Sequence, residues 1–212
     1  MVAVLGTLGF RPESLMPTLK SCDDLSEVVV FVSEHPDSAK AAARIKEYCQ
    51  TLDIRFRLIT LQDAFDLLHI AEIIKAEVRK VKNEGESVAV FNIAGGTRLM
   101  SAAALLVCIV QGLNSVYVHD DTLKEIPLPL LQIEYSSVLT PAQRNLLQML
   151  LQSENGRMSQ GELAEKMGLH KATINHHIKE LLDKGAIHLE PKPGDRRTKI
   201  IKVEESMRLL LG

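Results

Sequence analysis

Apolar positions along this chain follow two alternating rhythms. Short apolar runs, as in strands buried on both faces, occur at Val2–Leu5, Val28–Val32, Glu86–Ile93 and Ser115–His119. Ile54–Thr60 instead alternates Ile, Phe and Leu with Arg55 and Arg57. Between these runs, apolar residues recur at helical spacing. One helix is expected from about Pro12, others over Ser38–Gln50, Ala64–Lys82 and Thr97–Gln111. The last is nearly apolar all round and is expected to be buried. Strand and helix alternating over short connections predict an α/β Rossmann-like domain over residues 1–122, its sheet mostly parallel and covered on both faces.

After His119 the alternation stops. Residues 123–139 contain two prolines and a short apolar run, Leu130–Ile133, read as an edge strand leading into a linker. Thr140-Pro141 then has the form of a helix N-cap followed by proline. From there residues 140–212 parse as helices over Pro141–Gln152, Ser159–Met167 and His170–Lys184, two strands around a Pro/Gly turn, and a short helix over Glu204–Leu211. Ser159 and Glu162 form a capping box, and Gly185 closes the third helix. Three helices followed by a basic hairpin predict a C-terminal winged helix-turn-helix domain.

The third helix, residues 170–184, carries the chemistry of that domain. Ile174, Ile178, Leu181 and Leu182 form its inward stripe. Lys171, Thr173, Asn175, His176 and Lys179 are left on the outer side, where their donors can meet base edges and phosphates in a major groove of double-stranded DNA. Lys192, Arg196 and Arg197, in a wing over residues 190–199, can clamp the backbone or enter a minor groove. With Ser159 at the start of the second helix, these are the candidate DNA-binding residues. His176 and His177 are adjacent on a helix, do not share a face, and lack cysteine or carboxylate partners, so no metal site is expected.

Charge sharpens this division. Residues 139–212 hold 12 Lys and Arg against 9 Asp and Glu, whereas residues 1–138 hold 13 against 18. The basic part coincides with the expected DNA reader. Three widely spaced cysteines, with no CxxC, argue against a disulfide framework or zinc site. The longest strongly apolar stretch, near Met100–Val110, is shorter than the roughly 20 residues a membrane span needs. The N-terminus reads as a strand rather than a signal peptide. A cytoplasmic protein without a membrane partner is expected.

In open α/β sheets, ligands bind beyond the carboxyl ends of the strands. Two glycine-bearing loops are expected there, Gly6-Thr7-Leu8-Gly9-Phe10-Arg11 and Ala94-Gly95-Gly96-Thr97-Arg98. Glycines allow close backbone approach, and a helix starting at Thr97 favours an anion. Arg11 and Arg98 add positive charge, Phe10 offers a stacking face, and Ser33, Glu34 and His35 close the site. Neither GxGxxG nor GxxxxGK[ST] occurs, which argues against nicotinamide or flavin cofactors and a P-loop. The candidate ligand-binding set is therefore Thr7, Leu8, Gly9, Phe10, Arg11, Ser33, Glu34, His35, Gly95, Gly96, Thr97 and Arg98.

Two resemblances make these expectations specific. "MSQGELAEKMGLHKATINHHIKELLDKGAI" and "GDRRTKIIKV" resemble the MarR/ArsR-like regulators in helix core, turn, cap and wing. "NIAGGTRLMSAAALL" and "TLGFRPESLMPTLK" resemble the corresponding segments of CARF domains, the Rossmann-like sensors of CRISPR systems. In this order they resemble the CRISPR-associated CARF–winged-helix transcription regulators of archaea over the whole chain. That resemblance implies a homodimer formed through the CARF domains, with cyclic oligoadenylate, chiefly cyclic tetra-adenylate, bound on the two-fold axis. It implies regulation of CRISPR genes and no catalytic residue. Alternatives within the resemblance are a ring nuclease with a regulatory tail and an adaptor to a CRISPR ribonucleoprotein. For ring cleavage, Arg11, Thr97 and Arg98 could stabilise charge, with His35 as a weak candidate base.

Overall fold

The computed structural model describes residues 2–129, 138–192 and 195–211, without the side chains of residues 195–198. The chain forms two compact units, Met1–Ile133 and Glu134–Gly212.

In the first unit, six strands form one sheet. They are β1 (Val2–Leu8), β2 (Leu25–Ser33), β3 (Arg55–Leu61), β4 (Ser87–Asn92), β5 (Ser115–Val118) and β6 (Glu125–Pro127). Their order is β3-β2-β1-β4-β5-β6. The first five are parallel, and β6 pairs antiparallel with β5. The edge strand expected at Leu130–Ile133 lies outside the described residues. Four α-helices connect the strands: α1 (Met16–Ser21), α2 (Pro36–Thr51), α3 (Leu67–Asn83) and α4 (Arg98–Gln111).

Alternate residues of the central strands serve opposite faces. Val4 and Leu8 of β1 and Val28, Val30 and Val32 of β2 pack with Leu15, with Leu19 of α1, and with Ala41, Ile45 and Cys49 of α2. Ala3, Leu5, Val29 and Phe31 are equally buried. They point to the other face, where right-handed crossovers bring α3 and α4 together. There Phe31 and Phe91 stack with ring centroids 5.8 Å apart.

One boundary differs from expectation in a way that matters. β1 does not stop before Gly6 but pairs through Leu8, opposite Val32 of β2. Gly6 fits this strand because a Cβ there would lie 2.7 Å from Leu15 Cδ1 and 3.3 Å from the Asn92 carbonyl oxygen. Gly6, Thr7 and Leu8 are therefore sheet rather than loop.

The second unit is a winged helix. Helices α5 (Pro141–Gln152), α6 (Gln160–Met167) and α7 (Lys171–Asp183) precede the hairpin β8 (Ile187–Lys192) and β9 (Asp195–Val203). A short strand not expected from the pattern, β7 (Arg157–Ser159), pairs with β9. Helix α8 (Arg208–Leu211) ends the described chain. Leu146, Leu147 and Leu150 of α5 meet Leu163 of α6, Ile174, Ile178 and Leu181 of α7, and Ile201 of β9 in one core. Thr140 and Ser159 each cap their helix with a complete capping box.

In the first unit Lys75, on α3, is nearly fully buried. Burial moves its ammonium pKa down to about 8. Between about pH 8 and its ordinary value near 10.5, the unfolded chain holds a proton that the folded chain has released, so stability rises with pH across that window. Replacing Lys75 with Met is expected to flatten that rise, measured by calorimetric melts from pH 7 to 10.

Candidate functional site

Strand order reverses direction between β1 and β4, and there the loops after both strands meet. The contact is backbone against backbone. A Cβ on Gly95 would lie 2.6 Å from the Thr7 carbonyl oxygen, 2.8 Å from Leu8 Cα and 2.9 Å from Gly9 N. A Cβ on Gly9 would lie 2.9 Å from Gly96 N. These two glycines thus let the loops approach each other, rather than a ligand approach the loops. Gly96 is different. It is exposed, with φ at +88°, a left-handed conformation that glycine adopts without strain.

Asn92, the last residue of β4, orders this meeting point, and the pattern of the chain did not single it out. Fully buried, its Nδ2 donates to the Ser14 carbonyl (2.9 Å) and to Thr18 Oγ1 (2.7 Å). Its Oδ1 accepts from the Ala94 amide at 2.9 Å. One side chain therefore ties the glycine loop to the segment following β1. The available signal was a polar residue ending an apolar strand directly before Ile93-Ala94-Gly95.

The sequence-predicted ligand residues separate into three groups. Thr7 and Leu8 are fully buried within β1. Leu8 belongs to the core and the Thr7 hydroxyl is enclosed without a hydrogen-bond partner among the described residues, so their side chains do not face a ligand. This corrects the expectation for both, and the cause is the longer β1.

A second group is held in structural contacts. Thr97 caps α4: its Oγ1 accepts from the Met100 amide (3.1 Å) and donates to the Ala64 carbonyl (2.7 Å), joining the loops after β3 and β4. The Ser33 hydroxyl lies 3.0 Å from that of Ser38. His35 caps α2, its Nδ1 accepting from the Asp37 amide at 3.2 Å.

A third group presents chemistry outward. Phe10 is 59% exposed and packs against His35, with ring centroids 4.6 Å apart. Glu34 is exposed beside them. Arg11 Nη2 donates to the Asp120 carbonyl at 2.9 Å, with the Asp120 carboxylate 3.8 Å from Nη1. Both side chains are solvated, so this pair contributes little to stability and is open to exchange. Arg98, the first residue of α4, is exposed and makes no hydrogen bond or ion pair among the described residues. The amino end of a 14-residue helix, an exposed glycine, two accessible arginines and an exposed aromatic ring can together receive a phosphate with an attached base.

In the winged helix, α7 turns Ile174, Ile178 and Leu181 inward and leaves Lys171, Thr173, Asn175, His176 and Lys179 exposed. Gln160 of α6, not anticipated, donates to the Lys171 carbonyl (3.2 Å) and to Asn175 Oδ1 (2.6 Å), fixing the Asn175 amide. Ser159 is the α6 cap: its Oγ accepts from the Glu162 amide, and its own amide donates to Glu162. Those hydrogen bonds hold the Glu162 carboxyl below its usual range. Lys192 is exposed at the end of β8. Arg196 and Arg197 lie on β9, their side chains outside the described residues. Although adjacent, His176 and His177 both approach Glu180, at 3.6 and 3.9 Å, because their spacings of four and three residues both reach it on a helix.

Matched against family models, residues 2–129 fit the Csa3 CRISPR-associated Rossmann-like domain and residues 139–199 fit the MarR family. Fold and site thus define a two-domain protein, a Rossmann-like domain followed by a MarR-type winged helix. The chain belongs to the Csa3 CRISPR-associated family. No curated protein matches it. Among solved structures, protein VC1899 from Vibrio cholerae is similar in fold, with a TM-score of 0.51 and 13% identity over 100% of this chain and 64% of that one. Sco5413, a MarR family transcriptional regulator from Streptomyces coelicolor, has a TM-score of 0.32 and 20% identity over 36% of this chain and 51% of its own. A Type III CRISPR defence DNA nuclease activated by cyclic oligoadenylate has a TM-score of 0.47 and 15% identity over 59% of this chain and 19% of its own. The chain spans about half the length of the MarR-family structures it matches.

The loop contact leads to a prediction. Gly95→Ala is expected to destabilise the protein by about 2 kcal/mol, because the added methyl meets the Thr7–Gly9 backbone at under 3 Å. Thr97→Ala is expected to cost about 1 kcal/mol through loss of the cap. Urea denaturation checks both, and a Gly95→Ala variant as stable as the parent contradicts the close contact.

Proposed function

We propose that this chain is a ligand-gated transcriptional regulator of CRISPR genes. A homodimer binds cyclic tetra-adenylate at the carboxyl ends of β1 and β4 and double-stranded DNA through α7 and the wing. One observation carries the reading. Exposed Gly96 and Arg98 at the start of α4 lie at the sheet's switch point with the loop bearing Phe10 and Arg11, in a chain that also has a MarR-type DNA-reading helix. Phosphates suit the helix amino end and the arginines, and Phe10 suits an adenine.

Symmetry favours the dimer. A cyclic tetranucleotide has a two-fold axis, so identical loops from two copies can each hold half of it. The outer side of α4 supplies an apolar row that a second copy would cover. Leu99, Ala102 and Ile109 are partly buried there, and Leu106 is 38% exposed. Binding is favoured over ring cleavage because His35, the weak candidate base, uses Nδ1 to cap α2.

Arg98→Ala is expected to weaken cyclic tetra-adenylate binding about tenfold or more with melting unchanged, measured by calorimetry. Unaltered affinity contradicts the site. Fluorescence anisotropy on promoter DNA is expected to show affinity that falls steeply from 50 to 200 mM salt and shifts when cyclic tetra-adenylate is added. Identical curves with and without the ring reject the coupling, and accumulation of linear di-adenylate replaces this reading with ring cleavage.

A further inference from the structure

A second concavity lies apart from the switch point. The segment entering α1 and the outer side of α2 line a solvent-open groove of about 470 Å³, within the range that holds small molecules. Its lining is largely apolar: Met16, Pro17, the Tyr48 ring and Leu123 are partly exposed there, above the buried Pro12 and Ile45. Two polar groups at its rim have no partner among the described residues, the exposed Lys20 ammonium and the Tyr48 hydroxyl. The rim also holds Arg44, whose charge is met by Glu13 at 3.4 Å. Lys20, Arg44 and Glu13 together leave a single positive charge.

We propose that this groove binds a small amphipathic monoanion, an apolar body carrying one carboxylate. The body lies against Met16, Pro17, Leu123 and the Tyr48 ring, whose partly exposed apolar surface it removes from water. The carboxylate reaches Lys20 and accepts from the Tyr48 hydroxyl, giving both groups the partner they lack. A dianion exceeds the single unmatched charge, and an amine meets Lys20 with like charge. The site touches both sides of the Arg11–Asp120 contact. Pro12 directly follows Arg11, while Leu123, at the groove edge, donates its amide to His119 O in the turn that contains Asp120.

The test uses the full chain with two probes of matched shape and opposite charge, 4-phenylbutyrate and 4-phenylbutylamine, followed by calorimetry and amide NMR. The acid is expected to bind saturably, to shift the amides of Met16, Lys20 and Tyr48, and to bind about tenfold tighter than the amine. Lys20→Glu, a surface change expected to leave melting unchanged, should reverse that preference. No saturable binding of the acid at millimolar concentration overturns the proposal, as do equal affinities for the two probes. So do shifts confined to residues away from the groove, or a folded Lys20→Glu variant that binds the acid as tightly as the parent.

Discussion

The contact on which the candidate site depends is made of backbone. Gly95 lies against Thr7, Leu8 and Gly9, and Gly9 lies against Gly96, at distances that leave no room for a Cβ. This brings the amino end of α4 alongside the loop that carries Phe10 and Arg11. Asn92 then holds the glycine loop through the Ala94 amide and reaches across to Ser14 and Thr18. Burying a polar side chain is costly unless its hydrogen bonds are met, and meeting those of Asn92 sets the register between two loops far apart in sequence. The outward groups, Gly96, Arg98, Arg11 and Phe10, are positioned by contacts in which their own side chains take little part.

The winged helix is built on a comparable principle, with a buried amide in place of glycine contacts. Gln143 of α5 is fully buried. Its Nε2 donates to Glu180 of α7 at 2.6 Å, while its Oε1 accepts from the Thr140 amide and from Lys184. Lys184 also donates to the Val138 carbonyl. Helix α7 is thereby fixed to the start of its domain by directional bonds as well as by the Leu and Ile core. On its outer face, Gln160 holds the exposed Asn175 amide in a set orientation.

Much of this was legible in the chain itself. The parallel sheet followed from apolar runs alternating with helical spacing. The caps at Thr140 and Ser159 and the inward row Ile174, Ile178 and Leu181 followed from local rules that act within a few residues. Thr7 and Leu8 were misplaced for a definite reason. Glycine at position 6 reads locally as the end of a strand, yet its lack of a side chain serves the passage of Leu15 and Asn92. Asn92, Gln143 and Gln160 were missed because the partners they reach on other elements lie 74 to 78, 37 to 41 and 11 to 15 residues away, beyond the reach of periodicity. β7 was missed because three residues are too short to show a rhythm.

The sequence by itself determined the fold class, the two-domain order, the helix caps and the outward face of α7. These depend on spacing and backbone preference, which each residue imposes on its neighbours. Tertiary structure decided which glycines serve the fold and which face outward. It also committed Thr97 and His35 to caps, enclosed Thr7 and Leu8, and brought Arg11 to Asp120. Those outcomes depend on which distant segment arrives within hydrogen-bond or van der Waals distance, and only the closed sheet and packed core bring such segments together.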